Sequence, residues 1–358
     1  MSFGKVFVRL SIICFWILLI FIALYFPSWK IFPIEEKNLN VFAWGDILDP
    51  KVLADFERDT GIKINLSYYA SNEELQVKMK ATRGQGYDLI LPSDYTVALL
   101  IKEELLQPLD HKKLHFYSDL YPALLNHEFD PQNRYSIPFE WEIYGFGIDR
   151  RFFDTHPFVP SWRAIFDPDV VDYKIVLKND PIESVLFAAF YLFGQTDSLT
   201  PTQFDQVRQL LLMQRDWVEA YTDFRADYFI ASGSCPLALS STAYIKRIHN
   251  FFPQIEFIIP EEGSFVTIEN FCITKASTKQ DYAYKLLNYI YTKESLISHY
   301  KNYWYFPAIL SPKDELGLTE DERKLYEYSR EEFTKFHFFK NIYPQQQVRD
   351  LWVEVKSF

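Results

Sequence analysis

The sequence is poor in the residues and motifs by which many enzymes and metal proteins are recognised. It has three cysteines in 358 residues, Cys14, Cys235 and Cys272, too few for a disulfide scaffold. Cys14 lies inside an apolar N-terminal run, and Cys235 and Cys272 are expected as two buried free thiols. There is no P-loop, no GxGxxG and no HExxH. The seven histidines are scattered. His111 and His115 have i,i+4 spacing, but no acid joins them in a metal-ligand pattern, so they read as solvated surface and no metal is expected. Positive charge is scarce: 37 Lys and Arg stand against 48 Asp and Glu, a net charge of −11. Residues 1–30 carry Lys5, Arg9 and Lys30 and no acid, which leaves −14 for the remainder. An acidic body argues against a nucleic-acid phosphate tracker, which needs a basic face. No internal repeat, low-complexity tract or long Gly/Ser linker is present, so domain boundaries are expected as tight crossings.

What the chain has is apolar and aromatic. Hydrophobic residues make up 48 %, with 33 Phe, 24 Tyr and 8 Trp, enough for a large core in two domains. Residues 10–27 carry no charge and follow Lys5 and Arg9. A basic flank before an apolar run is an export signal, and its length approaches the roughly 18–20 residues that span a bilayer. The exit, Tyr25-Phe26-Pro27-Ser28-Trp29, offers no small-x-small cleavage site. Two readings stand: a cleaved signal with an atypical site, or an uncleaved anchor. Both place residues 38–358 outside the cytoplasmic membrane.

From residue 39 the pattern alternates. Leu39–Trp44 reads as a strand. Asp49 and Pro50 open a helix over 51–60 that Gly61 ends, and Ile62–Tyr68 alternates as a strand. Ser71-Asn-Glu-Glu74 has capping-box spacing, and Leu89-Ile90-Leu91 is a short run of the kind buried on both faces. Further helices are expected over 97–104, 182–192, 200–215 and 282–292. Strands are expected at 144–148, 174–177, 237–239 and 255–259. The tail, 320–358, reads as charged, aromatic and mostly helical. This is an α/β fold. In a parallel sheet the strand ends open into one crevice, and Trp44, Asp46, Ser93 and Tyr95 lie just past two such ends.

The acids are more suggestive than any nucleophile. Asp180-Pro-Ile-Glu183 sets two carboxylates at a helix start, where they also suit the cap and the dipole. Phe139-Glu-Trp-Glu-Ile-Tyr144 reads by alternation as half core and half surface. Glu269 interrupts the apolar run Val266–Ile273, and an acid there needs a partner or a water-lined cleft. Carboxylates with aromatic faces suit amines, the first through charge-assisted hydrogen bonds and the second through the ring quadrupole. Cys235 is the sole plausible thiol nucleophile and has no His partner in sequence.

These residues resemble the spermidine/putrescine-binding proteins of ABC transporters, in the type II periplasmic substrate-binding superfamily. The resemblance covers 39–358. It rests on Phe42-Ala-Trp44, Phe56–Ile62, Tyr69–Glu73, Tyr87–Ser93, Phe129–Asn133, Tyr135–Pro138 with Trp141 and Gly147, and Pro260–Gly263. It implies two lobes, each a mixed, mostly parallel sheet flanked by helices, with the ligand cleft at the hinge. The expected limits are 1–37 for the signal or anchor, 38–143 with 269–312 for lobe 1, and 144–268 with 313–358 for lobe 2. It implies a polyamine-binding site of Trp44, Asp46, Ser93, Tyr95, Asp180, Glu183, Glu269 and Tyr305, with no cofactor and no catalysis. Capture would end in delivery to an inner-membrane ABC permease by a periplasmic monomer, tethered through 10–27 if that segment is uncleaved. The departures are Leu239 and Thr267 where the family has tryptophans, Ile47 for a tyrosine, and Lys340 near a glutamine. They motivate an alternative, another cationic or amino-acid-like solute. A Cys235-dependent enzyme and a tethered sensor are the remaining alternatives.

Overall fold

The computed structural model describes residues 3–25, 37–222 and 226–357. It falls into two units, Met1–Asn38 and Leu39–Phe358. In the first, Phe3–Tyr25 is a helix whose Phe7, Trp16 and Leu24 are exposed. The expected exit at 26–29 lies outside the described residues. Among the described residues no helix is long and apolar enough to cross a membrane.

The second unit is built on eleven strands. They are β1 (Asn38–Trp44), β2 (Lys63–Tyr69), β3 (Leu89–Ile90), β4 (Ile137–Asp149), β5 (Ile175–Lys178) and β6 (Val218–Thr222). β7 (Leu237–Ser241), β8 (Ile255–Ile258), β9 (Ser264–Ile273), β10 (Phe306–Pro307) and β11 (Phe336–Phe338) complete the set. The main order is β2-β1-β3-β9-β4-β7-β5-β6, with β8 and β10 on β4 and β11 on β9. Pairing is parallel for β1 with β3 and for β5 with β6 and β7. The two long middle strands, β4 and β9, pair antiparallel with each other and with β7 and β3. The sheet is therefore mixed: the main path is antiparallel at its centre, where the short β11 alone pairs parallel with β9.

Local chemistry sets the helices. Asp49 accepts the Lys51 N–H and Gly61 closes Pro50–Thr60 in the left-handed region. Ser71 caps Asn72–Thr82 by accepting from Glu74 N–H, while the Glu74 carboxylate accepts from Ala70 N–H, one residue before a true capping box. Asp180 and Gly194 bracket Pro181–Phe193, and Thr200 with Gln203 forms a full box at Pro201–Gln214. The tail is less helical than expected. Phe336–Phe338 is a strand paired parallel with β9, between the short helix Arg330–Phe333 and the helix Gln345–Lys356.

Two large cores lie along β4. Ile137, Phe139, Trp141 and Ile143 pack into the first with Leu39, Phe271 and Leu287. Tyr144, Phe146 and Ile148 pack into the second with Trp162, Ile175 and Phe187. β9 does the same in reverse, with Phe265 in the second core and Val266, Ile268 and Phe271 in the first. Leu316, Tyr326, Phe333 and Phe336 join the first core, and Phe339 joins the second. Gly145 and Gly147 allow close packing on the second stretch of β4. A Cβ on Gly145 would lie 2.5 Å from the Ile258 carbonyl oxygen, and one on Gly147 2.2 Å from Ile245 Cδ1.

Candidate functional site

All thirteen residues of β4 are buried. The expected division of Phe139–Tyr144 into core and surface is therefore corrected: the polar half faces a cleft, not bulk solvent. Side chains alternate along a strand. Phe139, Trp141 and Ile143 enter the first core, and Glu140, Glu142 and Tyr144 take the opposite face. β9 lies alongside with Glu142 opposite Thr267 and Glu140 opposite Glu269. Glu142, Tyr144, Thr267 and Glu269 thus reach one side of a cleft of about 700 Å³, counted with its open mouth.

Trp44, Ser93 and Asn72 come from elements packed in a smaller cluster of Phe42, Leu75 and Val97, with Trp44 also against the first core. Trp44 ends β1, and its indole N–H donates to Glu269 Oε2 at 2.9 Å. Ser93 precedes the helix Asp94–Lys102, and its hydroxyl donates to Glu269 Oε1 at 2.7 Å. The Glu269 carboxylate is thus held in a fixed orientation by one donor on each oxygen. Asn72 Nδ2 donates to Ser93 Oγ at 3.1 Å and to the Tyr95 hydroxyl at 2.7 Å.

The second core contributes Asp180 and Glu183. Asp180 Oδ1 accepts from the N–H groups of Ile182 and Glu183 at 2.8 and 2.9 Å, which fixes the cap. Oδ2 remains turned to the cleft, 3.5 Å from the Tyr95 hydroxyl. Glu183 Oε1 accepts from the Tyr144 hydroxyl at 3.2 Å, and Ser241 donates to Glu142 Oε2. Tyr305 donates to the Tyr244 hydroxyl at 3.4 Å, closing an aromatic wall.

Burial dominates the electrostatics. It raises the carboxyls of Glu142 and Asp180, takes Glu183 up to about 8, and holds Glu269 well above the usual range. The neighbouring Asp180 charge adds to the shift of Glu183, and Asp94 and Glu142 add to that of Glu269. Asn72 Oδ1 and Glu183 Oε2 are buried acceptors with no hydrogen-bond partner in the protein. The cleft gathers four carboxyls whose ionised forms burial disfavours until a counter-charge arrives. It suits a guest that brings donors and positive charge.

The structure brings together Trp44, Ser93, Asp180, Glu183, Glu269 and Tyr305 of the residues expected from sequence. Tyr95 is buried behind the wall and reaches the cleft residues Asn72 and Asp180 through its hydroxyl. Asp46 does not line the cleft: it is exposed, in a turn with φ 56° that swings it outward. Asn72, Glu142, Tyr144, Lys178 and Tyr244 line the cleft and were not singled out as site residues. The pairing of acid and aromatic in 139–144 was a usable signal for two of them. Lys340 faces elsewhere, pairing with Asp197 at 3.8 Å beside a separate depression. Leu239 is in the second core, whereas Thr267 and Ile47 border the cleft.

The rival centres are unlike reactive sites. Cys235 packs with Ile230, Ile245 and Ile255, and burial pushes its thiol up to about 11, which disfavours the nucleophilic thiolate. Cys235 and Cys272 are both buried and unbridged, as the sequence suggested. His111 Nε2 lies 2.7 Å from the Asn133 carbonyl and its ring stacks on Tyr117. Among the described residues no group of three or more His, Cys, Asp or Glu could hold a metal ion.

Comparison with known proteins agrees with this architecture. A family profile described as bacterial extracellular solute-binding protein matches residues 51–322. The chain is 28 % identical over 260 residues to the spermidine/putrescine-binding periplasmic protein of Escherichia coli K12, covering 72 % of this chain and 73 % of that protein. It is 26 % identical over 345 residues to a putrescine-binding periplasmic protein of Pseudomonas aeruginosa UCBPP-PA14, covering 90 % and 93 %. The crystal structure of a spermidine/putrescine ABC transporter substrate-binding protein from Streptococcus pneumoniae superposes with a TM-score of 0.73 at 23 % identity, covering 90 % of this chain and 99 % of that one. That structural likeness establishes the two-lobed α/β fold.

Proposed function

Since the chain belongs to the bacterial extracellular solute-binding protein family, we propose that it captures a polyamine, spermidine or putrescine, and delivers it to an ABC transporter by hinge closure. The observation that carries this reading is the convergence of Glu142, Asp180, Glu183 and Glu269 on one cleft that also presents Trp44, Tyr144, Tyr244 and Tyr305. Glu269 and the Asp180–Glu183 pair are the ammonium stations, one from each side of the cleft. Trp44 and Tyr305 flank the methylene chain. Ser93 fixes Glu269, and Tyr95 positions Asn72 and Asp180. Asp46 has no role in this reading. The two relatives named above are described as polyamine binders, which supports the choice of ligand.

The lobes are proposed to meet at three crossings. The packing favours Ile143–Tyr144, Phe265–Val266 and the segment Phe336–Phe339. In this assignment 313–336 belongs with lobe 1 and not with lobe 2 as the sequence had suggested. Glu73 and Arg349, 2.9 Å apart, form an ion pair that in this assignment joins the two lobes and would break on opening about these crossings. Family membership implies export. A periplasmic monomer without catalytic activity, tethered to the inner membrane if residues 10–27 stay attached, is the finer proposal.

Calorimetric titration with putrescine and spermidine tests the reading. Saturable binding of either supports it. Absence of heat with both, or an anion found bound by native mass spectrometry of the purified protein, overturns it.

A further inference from the structure

Glu140 is a buried acid of β4 to which the polyamine reading gives no role. Only 1 % of its surface is exposed, and it does not line the cleft. Strand pairing sets it directly opposite Glu269 on β9, with Pro307 of β10 on its other side. Residues opposed across an antiparallel pair share a face, with Cβ atoms about 4.5–5.5 Å apart. Glu140 therefore stands beside the carboxylate that serves as an ammonium station.

The two carboxyls are served unequally. Glu269 has a donor on each oxygen, the Trp44 indole and the Ser93 hydroxyl. Glu140 Oε2 is buried and has no hydrogen-bond partner in the protein. Three tyrosines lie close enough to feel the Glu140 charge. They are Tyr291, which closes the helix Gln280–Ile290, Tyr303, which ends Lys293–Tyr303, and Tyr305, just ahead of β10. Each spends its hydroxyl elsewhere: on the Pro138 carbonyl, the Leu48 carbonyl and the Tyr244 hydroxyl respectively. The charges that bear on Glu140 are those of Glu269 on β9 and Glu142 on its own strand, both acids. Burial and these two charges hold its carboxyl well above the usual range. Like charges directly opposite one another on paired strands are destabilising. Of the pair, Glu269 is the one equipped to ionise and Glu140 the one left to keep its proton.

We propose that Glu140 is a positioning residue behind the Glu269 station, holding a proton while the cleft is empty and releasing it to solvent when a ligand ammonium seats on Glu269. The O–H bond of Glu140 breaks, its proton goes to the buffer, and no bond to the ligand forms. The ammonium supplies the counter-charge that lets both carboxyls ionise. Capture is thereby tied to pH through a group outside the cleft lining. This inference rests on the polyamine reading and assigns a regulation to its Glu269 station.

The test is calorimetric titration of the full chain, of Glu140→Gln and of Glu140→Leu, with putrescine and with spermidine. Runs from about pH 6 to 8.5 in buffers of different ionisation heat count the protons released on binding. The parent releases more protons than either variant, the difference approaching about one within that range, and its log Kd falls more steeply with pH by the same number. Glutamine keeps the shape of the neutral acid and leucine removes its polarity, so a loss common to both belongs to the proton. Proton counts that agree between parent and variants within about 0.2, or a Kd changed by one constant factor at every pH, overturn the role of Glu140 and leave polyamine binding standing. A parent that binds either amine with no proton release anywhere in the range does the same. Binding of neither amine by the parent overturns both readings.

Discussion

Glu269→Gln isolates the charge of the central carboxylate from its shape. Glu269 accepts the Trp44 indole N–H on Oε2 at 2.9 Å and the Ser93 hydroxyl on Oε1 at 2.7 Å. In glutamine the amide oxygen can take the indole N–H, and the amide nitrogen can donate to Ser93. The serine hydroxyl can reverse its role, because it both donates and accepts. The local network therefore survives, and the substitution removes one negative charge and little else. Burial works against that charge in the empty cleft, as the raised carboxyl pKa of Glu269 records. The variant is expected to melt at the parent temperature or above it. Its effect on ligand binding is opposite in sign. Truncating one side of a desolvated ammonium–carboxylate pair costs about 2–3 kcal/mol, which is roughly 30- to 150-fold in Kd. Parallel thermal melts and calorimetric titrations with putrescine read both quantities. A Kd within about threefold of the parent refutes Glu269 as an ammonium station. A large fall in melting temperature refutes the reading of its hydrogen bonds.

The pH dependence has a definite sign. Glu183 is raised from its ordinary 4.5 to about 8, and Glu142, Asp180 and Glu269 are also raised by burial. A carboxyl raised in the folded state stabilises the fold below its unfolded pKa, and that contribution is lost as pH rises through the folded value. The ligand-free protein should lose stability from these groups between pH 4.5 and about 8. Ammonium binding needs the ionised acids, so the rise in Tm at saturating putrescine should grow over the same window; equal shifts at its two ends would refute the linkage. Binding should also release protons, seen as a calorimetric enthalpy that changes with buffer ionisation heat. Asp94, raised to about 7 by burial, accepts from Tyr95 N–H at 2.6 Å and Ile268 N–H at 3.1 Å, tying the Ser93 turn to β9. Asp94→Asn turns one acceptor into a donor facing an N–H, and should cost about 1–3 kcal/mol in urea unfolding; a change below about 0.5 kcal/mol would refute the tie.

The acids that could be read from sequence were those whose neighbours made them anomalous. Glu269 stands in an apolar run, and Asp180 with Glu183 marks a helix start, so both signals survive without coordinates. Glu142 was in view but lost to alternation. A strand's period of two separates one face from the other, yet says nothing of whether the second face meets solvent or another lobe. Only the approach of the Asp180 helix start makes the polar face of β4 a wall. Lys178 was lost for a similar reason, since a lysine at the end of a short strand reads as a solvated flank. Asp46 shows the converse error: closeness in sequence to Trp44 suggested a shared site, and one residue at positive φ turned it outward. The tail resisted reading because Phe336–Phe338 joins β9, a partner about seventy residues earlier in the chain.

The absence of the two family tryptophans now has a structural context. Leu239 lies in the second core, and Thr267 leaves room on β9 beside Glu269. Aromatic surface at the cleft comes from Tyr144, Tyr244 and Tyr305, on β4, on the helix Thr242–His249 and just ahead of β10. Exchanging indole for phenol changes more than area. Tyr144 donates to Glu183 and Tyr305 to Tyr244, so each ring is fixed by its hydroxyl as well as by packing. These rings also carry the Lys178 and Arg247 contacts. Lys178 and Arg247 thus lie within 6 Å of two of the three tyrosine rings, and the Trp44 indole is bound to Glu269 instead. The aromatic surface at this end of the cleft is a frame whose rings are held by hydrogen bonds as well as by packing, so removing the Tyr144 or Tyr305 hydroxyl loosens a ring without removing its area.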